Sequence, residues 1–282
     1  MAGMLYLCAT PIGNLKDMTP RVVETLNSVD LIAAEDTRNS RKLLTHFDIH
    51  TPMTSYHEYN KVEKAYQLIE KMWQGLNIAL ITDAGTPAVS DPGEVLVRMC
   101  QEAGIAVTSL PGPAACITAL TLSGLSTRRF CFEGFLPTEK KDRNIILEEL
   151  KTESRTIIIY EAPHRLKRTL KELYETLGDR RVTLCRELTK VFETVLPTTL
   201  KDAAVLYEEE EPRGEFVLVI EGRSLKEKRQ EEIEGWERMS VEEHMEFYES
   251  QGMDYKSAMK QVAKDRGVGK REIYDYLNGV SQ

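Results

Sequence analysis

The chain has no apolar run approaching the roughly 20 residues that a bilayer-spanning helix needs, so no such helix is expected. Its opening residues, Met1-Ala2-Gly3-Met4-Leu5-Tyr6, lack a basic stretch ahead of an apolar core, and no signal peptide is expected. Cysteine is sparse. Cys8, Cys100, Cys116, Cys131 and Cys185 lie far apart, odd in number and without a C-x-x-C pair. That pattern predicts reduced, mostly buried thiols in a cytoplasmic protein rather than a disulfide framework. The histidines show no metal-ligand spacing: His46 and His50 are four apart but have neither a cysteine nor an acidic pair nearby, and no metal is expected. An excess of positive charge is also missing. The 37 lysines and arginines against 45 acidic residues leave a net charge of −8, which argues against coating nucleic acid by bulk electrostatics. A local basic face remains open, because phosphate contacts depend on where the charges sit. Two nucleotide signatures are absent as well: G-x-x-x-x-G-K-[ST], and G-x-G-x-x-G after the first strand.

What is present is an alternation of strand-like and helix-like segments. With 282 residues the chain has room for two ordinary domains. Strands are expected over 4–8, 31–34, 77–82 and 106–110. Helices are expected over 20–26 (Thr19 as N-cap, Pro20 at the first helical position), 38–46, 61–73 and 94–101. In the third of these helices Val62, Tyr66, Ile69 and Trp73 share one face. This rhythm predicts an α/β domain with much parallel pairing. A second set follows Pro111-Gly112-Pro113: helices over 114–122 and 165–177, and strands over 156–160, 182–185 and 216–220, with an antiparallel-prone strand at 191–196 bounded by Pro197. The expected organisation is therefore an N-terminal α/β domain over 1–113, a second over 114–222, and a charged connector with a helical tail over 223–282.

The strand ends carry the unusual residues. "ATPIGNL" (9–15) makes a tight turn after the first strand. "AEDTRNSR" (34–41) places Glu35, Asp36, Arg38 and Arg41 after the second, and "SYHEYN" (55–60) places His57 and Glu58 after the third. The fourth segment is "ITDAGTPAVSDPG" (81–93), with two aspartates, two glycines and two prolines, far more than a plain turn needs. "LPGPAA" (110–115) completes the series. In open α/β sheets this edge is where ligands bind. A row of small residues along it suits a ligand held by main-chain groups. The plainer readings are that Asp36 or Thr37 caps a helix, and that the histidine cluster is a surface loop.

The ordered run of ATPIGNL, AEDTR, SYHE, TDAGTPAVSDPG, LPGP, RFCFEGFLP, YEAPHR, CRELTK and RGEFVLVIEG resembles the ribosomal RNA 2′-O-ribose methyltransferases of the tetrapyrrole methylase-like superfamily. The match spans about Leu5 to Gly222. The resemblance implies two α/β domains with S-adenosylmethionine in the cleft between them, a homodimer, and a decoding-region cytidine of 16S ribosomal RNA as acceptor. It implies cofactor contacts from Pro11, Ala84, Gly85, Thr86, Val89, Ala114, Ala115, Glu161, Leu188 and Phe216. Most members carry Asp where this chain has Thr86, and tetrapyrrole-modifying members carry G-x-G-P-G where it has Thr10-Pro11-Ile12-Gly13-Asn14. That departure favours the RNA branch over a porphyrin-like acceptor. By residue type Asp36, His57, Glu58, Glu161 and Lys190 are eligible to assist the ribose hydroxyl; the catalytic candidates taken are Asp36, Arg38, Glu161 and Lys190, with Arg41 and His57 toward RNA. Another acceptor for the same cofactor, or a non-catalytic RNA-binding module, are the competing readings.

The tail has its own pattern. Met259, Val262 and Ala263 form one helical face and Lys256, Lys260 and Lys264 another. Gly267-Val268-Gly269 then turns the chain into a short helix beginning with Lys270 and Arg271, a helix-turn-helix-like arrangement. Together with Arg266 these cations are expected to grip RNA phosphates; the alternative is a solvated helical hairpin.

Overall fold

The computed structural model describes residues 2–224, 235–236 and 238–278. The connector expected over 223–237 lies mostly outside these. Residues Met1–Gly222 form one compact unit and Arg223–Gln282 another.

The first unit contains two sheets. In the first, β1 (Met4–Cys8), β2 (Leu31–Ala34), β3 (Met53–Ser55), β4 (Ile78–Ile81) and β5 (Ala106–Leu110) lie in the order β3-β2-β4-β1-β5. Every pair is parallel. The strands are joined by α1 (Pro20–Ser28), α2 (Thr37–His46), α3 (Lys61–Trp73) and α4 (Gly93–Glu102). The pleat explains the apolar runs, since alternate residues serve opposite faces. Leu5, Leu7, Ile78 and Leu80 pack with α3 and α4, whereas Cys8, Ala79 and Ile81 pack with α1 and α2. The start of α1 is as expected: Thr19 Oγ1 accepts from the Val22 amide at 3.3 Å, and Pro20 occupies the first turn. Because all five strands run the same way, all their C-terminal ends meet at one edge.

The buried face of α3 differs from the expected one. Ala65, Leu68, Ile69 and Met72 face the core, while Val62, Tyr66 and Trp73 are more than half exposed. The helix is rotated so that small Ala65 faces the core, where Ala65, Leu68 and Met72 are fully buried.

The second sheet has the order β6-β7-β10-β8-β9, built from β6 (Phe130–Phe135), β7 (Thr156–Glu161), β8 (Arg181–Arg186), β9 (Thr194–Thr199) and β10 (Phe216–Ile220). Only β6 and β7 are parallel; the other pairs are antiparallel. One face packs on α6 (Lys140–Lys151), α7 (Pro163–Leu177) and α8 (Leu200–Glu209), the other on α5 (Ala115–Leu122). The strand expected at 191–196 starts later and runs through Pro197, which an edge strand tolerates because one side of its backbone needs no partner. Sequence reasoning missed β6, α6 and α8. β6 shifts register between Phe132 and Gly134, where Gly134 takes φ +60°, so its alternation is broken.

In the second unit α9 (Val241–Ser250), α10 (Tyr255–Arg266) and α11 (Lys270–Leu277) enclose a small core of Val241, Met245, Ala258, Met259, Val262, Ala263 and Ile273. Ser240 and Glu243 form a reciprocal capping box, and Gly267 ends α10 in the left-handed region at φ +66°. No helix among the described residues is long and apolar enough to cross a membrane. All five cysteines are free, and all but Cys131 are buried.

Candidate active site

The segment after β4 is shaped by backbone contacts. Gly85 exchanges two hydrogen bonds with Thr10, at 2.9 and 3.0 Å, which pins the β4 loop to the β1 loop. Gly85 takes φ +85°, and a Cβ there would lie 3.3 Å from Ile12 Cγ2 and 3.5 Å from the Pro113 carbonyl oxygen. A side chain would meet both strain and crowding. Thr86 Oγ1 donates to the same Pro113 carbonyl at 2.9 Å. Ala88 and Ser90 also have positive φ, a costly state for residues with a Cβ. Asp91 holds them there: its carboxylate accepts from the amides of Ala88, Val89 and Gly93 at 2.8–3.0 Å. Burial pushes the Asp91 carboxyl up, against the pull of those three donors. The abundance of small and turn residues is thus a requirement of this loop's geometry.

The loop forms one wall of a cleft of about 510 Å³ between the two sheets, within the range of small-molecule sites. Ala84, Gly85, Thr86 and Val89 line it from the loop, and Ala114 and Ala115 from the start of α5. Leu188, Phe216 and Glu161 line it from the second sheet. Nine of the ten expected cofactor positions therefore converge on one cavity. Pro11 is the exception: its neighbour Ile12 faces the cleft instead. Sequence reasoning also missed Tyr160, whose hydroxyl accepts from the Cys116 amide at 3.0 Å and so fixes the start of α5. The cradle around Gly85, the small pair at Ala114 and Ala115, and the carboxylates of Glu35, Asp83 and Glu215 on the lining fit a flat polar group bearing a positive centre. S-adenosylmethionine, with its sulfonium, is such a group.

The catalytic candidates do not converge. Asp36 and Arg38 lie outside the main cleft, on an adjoining depression of about 410 Å³ at the ends of β2 and β3, shared with His57, Glu58 and Tyr59. Asp36 caps α2, accepting from the Arg38 amide at 2.8 Å, and its side chain pairs with the Arg38 guanidinium at 3.1 Å. That guanidinium holds the Asp36 carboxyl below its ordinary range. Arg41 is exposed on α2 and lines neither cavity.

Glu161 is buried and internally satisfied. It accepts from the Ala162 amide at 2.9 Å and the Thr169 hydroxyl at 2.5 Å, and pairs with Arg165 at 3.3 Å. Behind it, buried Arg143 donates to Thr169 at 2.7 Å and to Glu172. Such a fully paired carboxylate anchors α7 against β7. Lys190 bridges Glu187 and Glu215, each at 2.9 Å. Partial burial works against its ammonium, but the two carboxylates outweigh that and hold its pKa above the ordinary lysine value. It is charged at neutral pH and suited to electrostatics, not to removing a proton.

Glu35 is the residue sequence reasoning noted without choosing. It lines both the cleft and the depression. The Thr82 hydroxyl donates to its Oε2 at 2.7 Å, and Thr82 is itself tied to the β1 loop, its carbonyl accepting from the Thr10 hydroxyl at 3.1 Å.

In the tail unit Lys256, Lys260, Lys264, Lys270 and Arg271 are exposed; Arg271 lies 3.9 Å from Asp275. Arg266 is a correction. Its guanidinium donates to the carbonyls of Met239 and Ser240 at 2.7 and 2.8 Å and to His244 Nδ1 at 3.2 Å, so it clamps the start of α9.

The two-sheet architecture with its cleft defines a class, and the chain belongs to the tetrapyrrole (corrin/porphyrin) methylase family, whose model matches residues 4–204. Within that class its sequence is 51% identical over 273 residues to ribosomal RNA small subunit methyltransferase I of Halalkalibacterium halodurans, covering 97% of this chain and 94% of the relative. The Bacillus subtilis protein of the same name is 49% identical over 273 residues, covering 97% and 93%. Among solved structures, diphthine synthase superposes with a TM-score of 0.62 at 14% identity, over 78% of this chain and 90% of the other. The uroporphyrin-III-C-methyltransferase of Thermus thermophilus superposes with a TM-score of 0.56 at 18% identity, over 77% and 94%. These distant likenesses concern the fold alone.

Proposed function

We infer that the protein is an S-adenosylmethionine-dependent methyltransferase that modifies the ribose 2′-hydroxyl of a decoding-region cytidine in 16S ribosomal RNA. The observation that carries this reading is the near half identity, along almost the whole chain, to ribosomal RNA small subunit methyltransferase I. The cleft supports it by offering a cradle of the right size and polarity.

When bound, the cofactor supplies an electrophilic methyl group on sulfur. The chain's residues hold and orient. Ala84, Gly85, Thr86 and Val89 form the floor. Ala114 and Ala115 permit close approach, and Leu188 and Phe216 exclude water from the opposite wall. Glu161 acts here as a positioning residue that keeps β7 and α7 in register with the cleft. A ribose hydroxyl is a weak nucleophile and gains from a nearby negative or proton-accepting group. Asp36 with Arg38 organises the edge where the acceptor arrives, and Lys190 adds a fixed positive charge. The two α/β halves divide near Pro113. The exposed cations of the tail, with Arg41 and His57, contact RNA, which an acidic protein needs in order to overcome its net charge. Assembly as a homodimer and residence in the cytoplasm complete the reading.

The test is methyl transfer from labelled S-adenosylmethionine to small ribosomal subunits, bare ribosomal RNA, and porphyrinogens, followed by mapping of 2′-O-methylation. Label in the subunit at a single cytidine ribose is expected. Label in porphyrinogens or in protein alone would overturn the reading.

A further inference from the structure

The depression at the ends of β2 and β3 adjoins the cofactor cleft and shares Glu35 with it. Its lining carries Glu35, Asp36 and Glu58 against Arg38; Asp36 is paired with Arg38 and Glu58 with Lys61, which leaves the carboxylate of Glu35 outside any ion pair among the described residues. This acceptor-rich lining disfavours a phosphate and favours a neutral ligand that donates hydrogen bonds. At its rim stands Tyr59, 97% exposed, its ring 6.1 Å from that of His57 and tilted at 65° to it. Nearly the whole ring is left open to solvent. It is the kind of surface on which an unstacked base lies. His57 also lines the depression; its Nδ1 is buried, so only the outer edge of its ring is open to a ligand. Glu35 sits where the depression meets the cofactor cleft, and among the described residues only its Oε2 is engaged, by the Thr82 hydroxyl.

We propose that this depression is the seat of the acceptor nucleoside, taken as a single unstacked nucleotide: its base lies on Tyr59, a polar group of the base meets the open edge of the His57 ring, and its ribose hydroxyl is held by Glu35 at the mouth of the cofactor cleft. Phosphates then stay outside the seat, on basic groups elsewhere. The proposal rests on the ribosomal RNA reading above and assigns its specificity residues. Tyr59 and His57 select the nucleotide, and Glu35 orients its ribose.

The test uses the full chain with small ribosomal subunits. Tyr59→Ala is expected to raise KM for the subunit about tenfold, the usual scale for one base–aromatic stack. Turnover and cofactor affinity by calorimetry should stay within about twofold, and Tyr59→Phe should behave as wild type. His57→Ala should also raise KM without changing cofactor affinity. Independently, a fluorescent cytidine analogue at the methylated position of an RNA fragment should be quenched on binding to wild type and not to Tyr59→Ala. If wild type methylates ribosomal RNA but Tyr59→Ala has an unchanged KM and quenches the analogue equally, the seat is wrong and the function stands. If wild type methylates no ribosomal RNA, the function is wrong and the seat falls with it.

Discussion

Thr86 donates its hydroxyl to the carbonyl of Pro113 at 2.9 Å, joining the loop after β4 to the turn after β5 across the floor of the cleft. One residue earlier, Gly85 sits against Ile12 and that same carbonyl. Two strand ends, remote in sequence, are thus held as one surface. Thr86→Val removes the bond and strands the carbonyl, at a cost of about 1 kcal/mol. Cofactor affinity measured by calorimetry should fall about fivefold. Gly85→Leu should abolish binding while circular dichroism stays native, since the obstruction lies in the cleft and not in the sheet. Normal binding by Gly85→Leu would mean the cleft is misplaced.

Asp36 offers a way to separate a cap from a catalytic edge. Asparagine caps helices about as well as aspartate, so Asp36→Asn should leave the melting temperature near wild type. If the negative charge serves the acceptor, methyl transfer should fall at least tenfold while cofactor affinity holds. Arg38→Ala, which strips the partner from Asp36, should also depress transfer. Unchanged turnover in both variants would reduce the pair to a helix terminus.

The fold carries a pH-sensitive contact at the entry to β7. Arg155 donates to Glu153 from its backbone amide at 2.7 Å and its guanidinium at 2.6 Å, and holds the Glu153 carboxyl down at about 2. A depressed carboxyl stabilises the native state above its unfolded pKa, and that contribution is lost as pH falls through the folded value. Arg155→Ala should therefore lower the unfolding midpoint most at pH 6–8, and its curve should approach that of wild type near pH 2. A constant difference across that range would show that the loss is one of packing.

Three exposed lysines on α10 test the tail. Replacing Lys256, Lys260 and Lys264 by alanine should leave the helices intact, because Ala258, Met259, Val262 and Ala263 supply the buried face. Affinity for the small ribosomal subunit at low salt should drop. The slope of log affinity against log salt should become shallower by about 2, at roughly 0.7 per phosphate contact on single-stranded RNA. An unchanged slope would make the tail a structural appendage.

The sequence by itself determined the local elements whose causes are local. Thr19 and Pro20 start α1, Asp36 starts α2, and glycine at 85 marks a left-handed loop, all because capping and positive φ depend on a few adjacent residues. The parallel strand ends share an edge, which gathers the loops of Ala84, Gly85, Thr86, Val89 and Ala114; the ten expected cofactor positions themselves came from the family resemblance. Tertiary structure decided the rest. Periodicity gives a helix its period but not its phase, and only packing showed that α3 buries Ala65 and Met72 while leaving Tyr66 and Trp73 exposed. Glu161 read as a cofactor-facing or catalytic carboxylate and Arg266 as an RNA-gripping cation; the sequence showed neither the partners of Glu161, Arg165 and Thr169, nor those of Arg266, the carbonyls of Met239 and Ser240. Glu35 gained its place between two cavities only because β2 lies beside both β3 and β4. A charge is available for chemistry only after the fold has settled which neighbours neutralise it, and those neighbours come from distant parts of the chain.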